Sequence, residues 1–384
     1  MEPVVTVLMD LIKCEITGTE IDSSAVLRLS PEEQEKLASL GRNHSVAQLL
    51  ADALGSCPDT QSLPITGALF PVLLAEMNRV EKIEYEKDCV CQVLNNADIP
   101  YIPLKGARIR PFYPEPWMRT SCDNDILVHE EDVELACDLL ELKLHYRAEK
   151  RNYHDISLFS ETGTELELHF SIKENVEQMD RVLDRVWENS HRLSGAEYEQ
   201  SGEFFVFHQI THMLFHFIKG GCGVRPFADL FLLQEKMDYQ EDKLIALCQQ
   251  AGIAKFYENT KKLIDVWFRN APHSAVTERM EAYIISGGTF GITENHVAVD
   301  QNQAKFRYGI ILHRIFATRD HLCGRYPDLK QHPWKLPFYQ ARRWMEAFRH
   351  GELGRLKREW HAAQNIDPDF TSEIEQLLDE NGLL

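Results

Sequence analysis

Two short runs carry the residues best suited to chemistry: Asp123-Asn124-Asp125-Ile126-Leu127-Val128 and Thr164-Glu165-Leu166-Glu167-Leu168-His169-Phe170. Both read as strands, and side chains alternate across a strand, so residues two apart share a face. Asp123 and Asp125 therefore point the same way, roughly 7 Å apart along the strand, close enough to grip one or two cations. In the second run Leu166, Leu168 and Phe170 face a core, while Glu165, Glu167 and His169 line the other side. If the two strands are neighbours, four carboxylates and an imidazole converge on one surface, which is costly without cations and sensible with them. Asp-x-Asp or Glu-x-Glu alone is a weak signal, because on an exposed strand either ordinarily means solvated acids.

Other candidates surround these runs. Lys105-Gly106 ends a short β-type run, Ile99 to Leu104, and Arg119 sits four residues before Asp123. Arg119 can bridge phosphate oxygens, pair with a metal-site carboxylate, or form a structural ion pair. Arg225 and Asp229 follow the glycine-rich turn Gly220-Gly221-Cys222-Gly223. Arg225 can bind phosphate or base, or form a buried Arg–Asp pair at a domain interface. His208, His212 and His216 recur every four residues on one helical face. Such spacing suits zinc, but their neighbours Phe204, Phe205, Phe207, Leu214 and Phe217 favour hydrogen-bonded histidines in a buried helix.

The elements that must position these groups follow from periodicity and turn chemistry. Residues 1 to about 95 read as helical, with Ser30-Pro31-Glu32-Glu33 as a capped helix start and a long helix from about Thr66 to Asn95. Glu130 to Leu142 fits an amphipathic helix, and Tyr153–Phe159 with Glu165–Phe170 fits a hairpin around Gly163. Beyond about Lys173 the chain returns to helix and strand signals stay weak. The expected fold class is α+β: a small mixed-sheet domain over residues 96–200, between a helical segment 1–95 and a C-terminal helical domain 201–384.

Pro103-Leu104-Lys105-Gly106-Ala107, Tyr113-Pro114, the run from Arg119 to Val128 and Glu167-Leu168-His169 together resemble an uncharacterised nucleotidyltransferase family. That family belongs to the DNA polymerase β-like superfamily. The stretch His216 to Leu230 is similar to the family's downstream helix-loop-helix, and Arg325-Tyr326-Pro327-Asp328-Leu329 to its C-terminal signature. The resemblance implies that Asp123, Asp125 and Glu167 hold Mg²⁺ (or Mn²⁺), and that an NTP is the co-substrate. It prefers Glu167 to Glu165, because the family's carboxylate lies two residues before the histidine. One departure is Lys105-Gly106, where most of the superfamily has Gly-Ser or Gly-Gly. Gly106 can let phosphate approach the backbone, and Lys105 is the substitute for the missing serine. Two rival readings remain at this level: a metal-dependent glycosyltransferase using Asp-x-Asp, and a catalytically silent nucleotide-binding regulatory protein.

Composition narrows the partners. The 384 residues are 44% hydrophobic and 26% charged, with a formal net charge of −19, which disfavours non-specific binding to nucleic acid. No run approaches the roughly 20 apolar residues of a membrane span, and the first residues lack a signal peptide's basic flank, so the expected location is cytoplasmic. The nine cysteines are scattered and read mostly as small buried hydrophobes. From Lys305 to His361, 13 Lys or Arg stand against 5 Asp or Glu. Arg342, Arg343, Arg349, Arg355, Lys357 and Arg358 form a basic strip expected to serve intramolecular or small-ligand contacts. The favoured acceptor is a small molecule or a protein.

Overall fold

The computed structural model describes residues 3–174, 176–289, 291–303, 317, 319–349 and 366–384. Five helices come first: α1 (Pro3–Thr17), α2 (Ser23–Leu27), α3 (Pro31–Asn43), α4 (Ala47–Ser56) and α5 (Pro64–Asn96). The start of α3 is capped by Ser30 as expected, and the cap closes into a capping box with Glu33. The Ser30 N–H donates to Glu33 Oε2 at 2.8 Å, and the Glu33 N–H donates back to Ser30 Oγ at 3.3 Å.

The middle of the chain builds a seven-stranded mixed sheet. It comprises β1 (Tyr101–Pro103), α6 (Lys105–Ile109), β2 (Asp123–Val128), α7 (Val133–Leu144), β3 (Arg147–Arg151), β4 (Asp155–Phe159), β5 (Glu165–His169), α8 (Glu177–Leu183), β6 (Ser190–Ser194) and β7 (Glu197–Gln200). The strand order is β3-β4-β5-β2-β1-β7-β6. The β4–β5 hairpin forms as its alternation implies. The expectation of helix beyond Lys173 is corrected by β6 and β7, which pair antiparallel and join the sheet where Tyr101 meets Glu197. Their sequences, SHRLS and EYEQ, carry little of the apolar alternation that marks a half-buried strand.

Helices follow: α9 (Gly202–Ile218), α10 (Arg225–Lys236), α11 (Glu241–Gln250), α12 (Ala254–Arg269) and α13 (Ala275–Gly287), with further helices beyond them that include Thr293–Gln303, Leu336–Arg349 and Pro368–Glu380. Among the described residues, no helix is long and apolar enough to cross a membrane. The helices that precede and follow the sheet share one apolar core, in which Leu8, Leu11 and Leu54 join Phe217, Phe227 and Phe256. A second core closes one face of the sheet, where Val90 and Leu94 of α5 and Ala136 and Leu140 of α7 cover Ile126, Val128, Leu166 and Leu168. The other face of β2 and β5, which carries the acids, is left to look toward α9 and α10.

Three cysteines are buried (Cys222, Cys248 and Cys323), five are half-buried and Cys122 is exposed, so the expectation that most are core residues is corrected. Of the basic strip, Arg342, Arg343 and Arg349 lie on the helix Leu336–Arg349. Arg355, Lys357 and Arg358 lie outside the described residues.

A buried ion pair ties the sheet to the helices. Arg119 Nη2 lies 3.1 Å from Asp229 Oδ2, and the Tyr113 hydroxyl donates to Asp229 Oδ1 at 2.8 Å. Arg119 and Asp229 are 7% and 4% exposed, so neither can turn to water if its partner is lost. Asp229→Ala should therefore cost about 3–5 kcal/mol of stability in denaturant unfolding, while the paired replacement Arg119→Met with Asp229→Leu should recover most of it. Equal losses in the single and the paired variant would mean that the ion pair does not set this junction.

Candidate active site

The acids meet because β2 and β5 pair in parallel, with Asp123 opposite Glu165, Asp125 opposite Glu167 and Leu127 opposite His169. Asp123, Asp125, Glu167 and His169 line a cleft of about 600 Å³, whose other walls come from α5, α9 and the start of α10. Glu165, one pair nearer the strand's start, is not on the lining.

Asp125 is the hub. Its Oδ1 lies 2.7 Å from Lys105 Nζ and 2.9 Å from His169 Nε2, and His169 Nε2 is 3.3 Å from Glu167 Oε2. Burial works against the Asp125 carboxylate, but Lys105 and His169 hold it well below the usual carboxylate range. Asp123 has no such contact and is pushed up to about 6, first by burial and then by the charge of Asp125. Burial alone would drive Lys105 down; the charges of Asp125, Glu167 and Asp123 outweigh it and hold the ammonium above its ordinary value. His169 behaves alike. Burial lowers it, the hydrogen bonds to Asp125 and Glu167 together outweigh that, and it ends at about 9.

Lys105 reaches this place from a backbone φ of +41°, a left-handed conformation that a side chain makes unfavourable. A glycine here would relieve the strain, so the side chain is the reason to keep it. Gly106 has a different task from the expected one. It is buried, it does not line the cleft, and a Cβ there would sit 2.8 Å from Arg119 Nη1 and 3.3 Å from Arg110 Nη2. The glycine makes room for two guanidinium groups beneath the site rather than for a phosphate. The Gly220–Gly223 turn is likewise used for backbone packing, with Gly221 held against Gly287 and Gly288.

Arg119 lines the cleft but is committed to Asp229, the structural ion pair among its three alternatives. Arg225 donates from Nη1 to the Thr120 carbonyl at 3.1 Å, while its buried Nε has no protein partner. Asp229 stands inside α10, paired with Arg119 rather than Arg225. His208, His212 and His216 all face the cleft from α9. They do not form a metal group; among the described residues, the three side chains whose ligand atoms lie within 4.8 Å of one another are Asp125, Glu167 and His169. His169 was legible as an imidazole on the acidic face, but the expected ligand set did not include it.

Several buried polar atoms without protein partners gather on the cleft. Glu76 Oε2, His154 Nδ1, His169 Nδ1, Gln209 Nε2 and Arg225 Nε all belong to residues on its lining. Such groups cost roughly 1–3 kcal/mol each when left unsatisfied, so their concentration here points to a polar ligand. Mixed carboxylate and imidazole donors are a suitable set for Mn²⁺ and, through their oxygens, for Mg²⁺.

The raised pKa of His169 fixes a pH dependence for the metal-free protein. A group moved up from 6.5 to about 9 on folding contributes stability that is complete below 6.5 and is lost as pH rises through 9. Thermal melts in chelator should fall across that window, and His169→Gln should remove most of the slope. A wild-type melting temperature that stays flat from pH 6.5 to 9 would contradict the hydrogen-bonded imidazolium.

Comparison with known proteins follows the same lines. No curated protein matches this chain. Among solved structures, the chain is similar to the crystal structure of the Megavirus polyadenylate synthase at 12% sequence identity and a TM-score of 0.28. That match covers 46% of this chain and 40% of the viral one. Residues 30–269 match the family described as "Uncharacterised nucleotidyltransferase", which is more than half of the chain, and the protein belongs to that family.

Proposed function

We propose that the protein is a divalent-metal-dependent nucleotidyltransferase that moves a nucleoside monophosphate from an NTP to an acceptor and releases pyrophosphate. The observation that carries this reading is the parallel register that sets Asp125 beside Glu167, with Asp123 on the same strand face, at the floor of one cleft. Asp123, Asp125 and Glu167 are the residues assigned to hold Mg²⁺ or Mn²⁺, with His169 Nε2 as a further donor within reach. A bound divalent ion there supplies positive charge to the attacking oxygen and to the leaving pyrophosphate.

The chain's own residues divide the remaining work. Lys105 neutralises Asp125 in the metal-free protein and is free to turn to the triphosphate once a cation takes over that carboxylate. Arg225 offers its unpartnered Nε to a phosphate oxygen or to the base. Arg119 positions the floor through Asp229.

Charge on the cleft supports a small nucleotide rather than a nucleic acid. The lining holds six Lys or Arg (Arg42, Arg79, Lys105, Arg119, Lys173 and Arg225) and six Asp or Glu (Glu76, Asp123, Asp125, Glu167, Glu174 and Asp229). Two divalent ions would leave an excess of about four positive charges, which one triphosphate neutralises. Nothing is then left to attract a polyanionic acceptor, in keeping with the net charge of −19. A small molecule or a protein is the acceptor favoured.

Pyrophosphate release from each of the four NTPs, with Mg²⁺ or Mn²⁺ and a cell extract as acceptor source, tests the reading. Asp123→Asn, Asp125→Asn and Glu167→Gln should each lower release on the order of 100- to 1,000-fold while the fold survives, and Glu165→Gln should be mild. Near-normal release by Asp125→Asn would sink the assignment. Lys105→Ala should weaken NTP binding or turnover far more than it lowers the melting temperature; unchanged affinity and rate would make Lys105 a structural counter-ion only.

A further inference from the structure

Glu174, His212 and His216 form a hydrogen-bonded chain on the same cleft, and nucleotidyl transfer as described above gives them no task. His212 Nδ1 lies 3.0 Å from Glu174 Oε1, and His212 Nε2 lies 3.2 Å from His216 Nε2. The two rings meet edge-on, with centroids 4.6 Å apart and planes at 81°. A carboxylate facing Nδ1 makes that nitrogen the donor, which leaves His212 Nε2 as an acceptor. His216 must then carry its hydrogen on Nε2, and its Nδ1 is a bare lone pair at the end of the chain.

Burial fits these neutral tautomers. It pushes His212 well below the usual range and His216 down to about 3, so neither ring stores a proton near neutrality. Glu174 is pushed up to about 7, chiefly by burial. The charges of Lys105 and His169 pull it down and that of Asp125 pushes it further up, while His212, bonded to it, and His216 are neutral rings at that pH. Asp180 also faces it and accepts the Glu174 backbone N–H at 2.8 Å. One turn before His212, Gln209 presents a buried Nε2 with no partner, a donor ready for a ligand oxygen.

We propose that Glu174, His212 and His216 are a proton wire serving a hydroxyl-bearing acceptor, whose second oxygen accepts from Gln209. The proposal rests on the nucleotidyl-transfer reading. The acceptor O–H gives its proton to His216 Nδ1, His216 passes its Nε2 hydrogen to His212 Nε2, and His212 passes its Nδ1 hydrogen to Glu174. The acceptor oxygen uses the freed electron pair to bond the α-phosphorus. The bond from that phosphorus to the bridging oxygen breaks, and pyrophosphate leaves with the pair. Both imidazoles end neutral in the opposite tautomer, and Glu174 ends as the carboxylic acid.

The test uses the full chain with Mg²⁺, glycerol as the hydroxyl donor and an α-labelled NTP, and it measures binding of the α,β-methylene analogue of ATP separately. Glu174→Gln keeps an acceptor for His212 but cannot take the proton. It should leave analogue affinity and melting temperature unchanged, lower transfer to glycerol about 100-fold, and abolish the acid limb near pH 7 that wild type shows. His216→Ala should lose transfer similarly and regain part of it with added imidazole, a rescue that a merely structural role would not give. His212→Gln is the second variant should either of these fail to fold. Transfer by Glu174→Gln within threefold of wild type, or an unchanged acid limb, overturns the wire. So does a wild type that binds the analogue yet labels neither glycerol nor water. Failure of wild type to bind the analogue at all would instead sink the nucleotidyl-transfer reading beneath it.

Discussion

Parallel pairing of β2 with β5 places Asp123, Asp125, Glu165 and Glu167 on one sheet face, two strands wide. Neighbouring strands are about 4.8 Å apart, and two like charges at that distance repel by about 3.5 kcal/mol at an effective dielectric constant of 20. The fold therefore has to bring cations to this face before any ligand arrives. Lys105 and His169 do so, both on the same oxygen of Asp125. The demand explains features that look costly alone: a lysine at positive φ, a buried imidazole held protonated, and a glycine at 106 that lets Arg119 and Arg110 pack close beneath. Arg110 is itself buried, bonded to Glu84 of α5 and to Ser121 just before β2. Positive charge is thus layered under the acidic face from two sides.

Much of this was legible from the chain because β2 and β5 obey the period-two rule cleanly. Asp123 with Asp125, and Glu167 with His169, could each be assigned to one face of their own strand, while the meeting of the two pairs waited on the strands being neighbours. The long helix, the capping serine at Ser30 and the β4–β5 hairpin were equally readable, each resting on local chemistry. The strands β3, β6 and β7 were not, since polar strands at the sheet's two edges (β3, β6) or next to one (β7) owe their place to backbone pairing rather than to a buried face. Partners distant in sequence were also hidden. Arg225 and Asp229 are four apart and suggested a pair, but the actual partner of Asp229 is Arg119, 110 residues away. The glycines misled for the same reason: Gly106 answers to two arginines whose approach only the tertiary fold creates.

The two walls of the cleft differ in kind, and the difference constrains what each can do. The sheet wall is ionic, with its acids and their cations fixed by register. The α9 wall is polar and neutral: burial pushes His208 and His212 well below the ordinary imidazole range, and the positive charge of Lys105 and His169 pushes them the same way. A cation bound on the sheet wall would press these imidazoles further toward neutrality. They therefore cannot act as charged clamps on an anion, a role that the proposed function gives to Lys105 and Arg225 instead. As neutral rings they donate and accept hydrogen bonds, which suits contact with an uncharged part of a ligand. The clamp of Arg119 and Tyr113 on Asp229 holds the helical half against the sheet half at the base of the cleft. A charged wall and a neutral polar wall thus face each other across one gap, the layout that the proposed reaction would use to hold a triphosphate on one side and a less charged acceptor on the other.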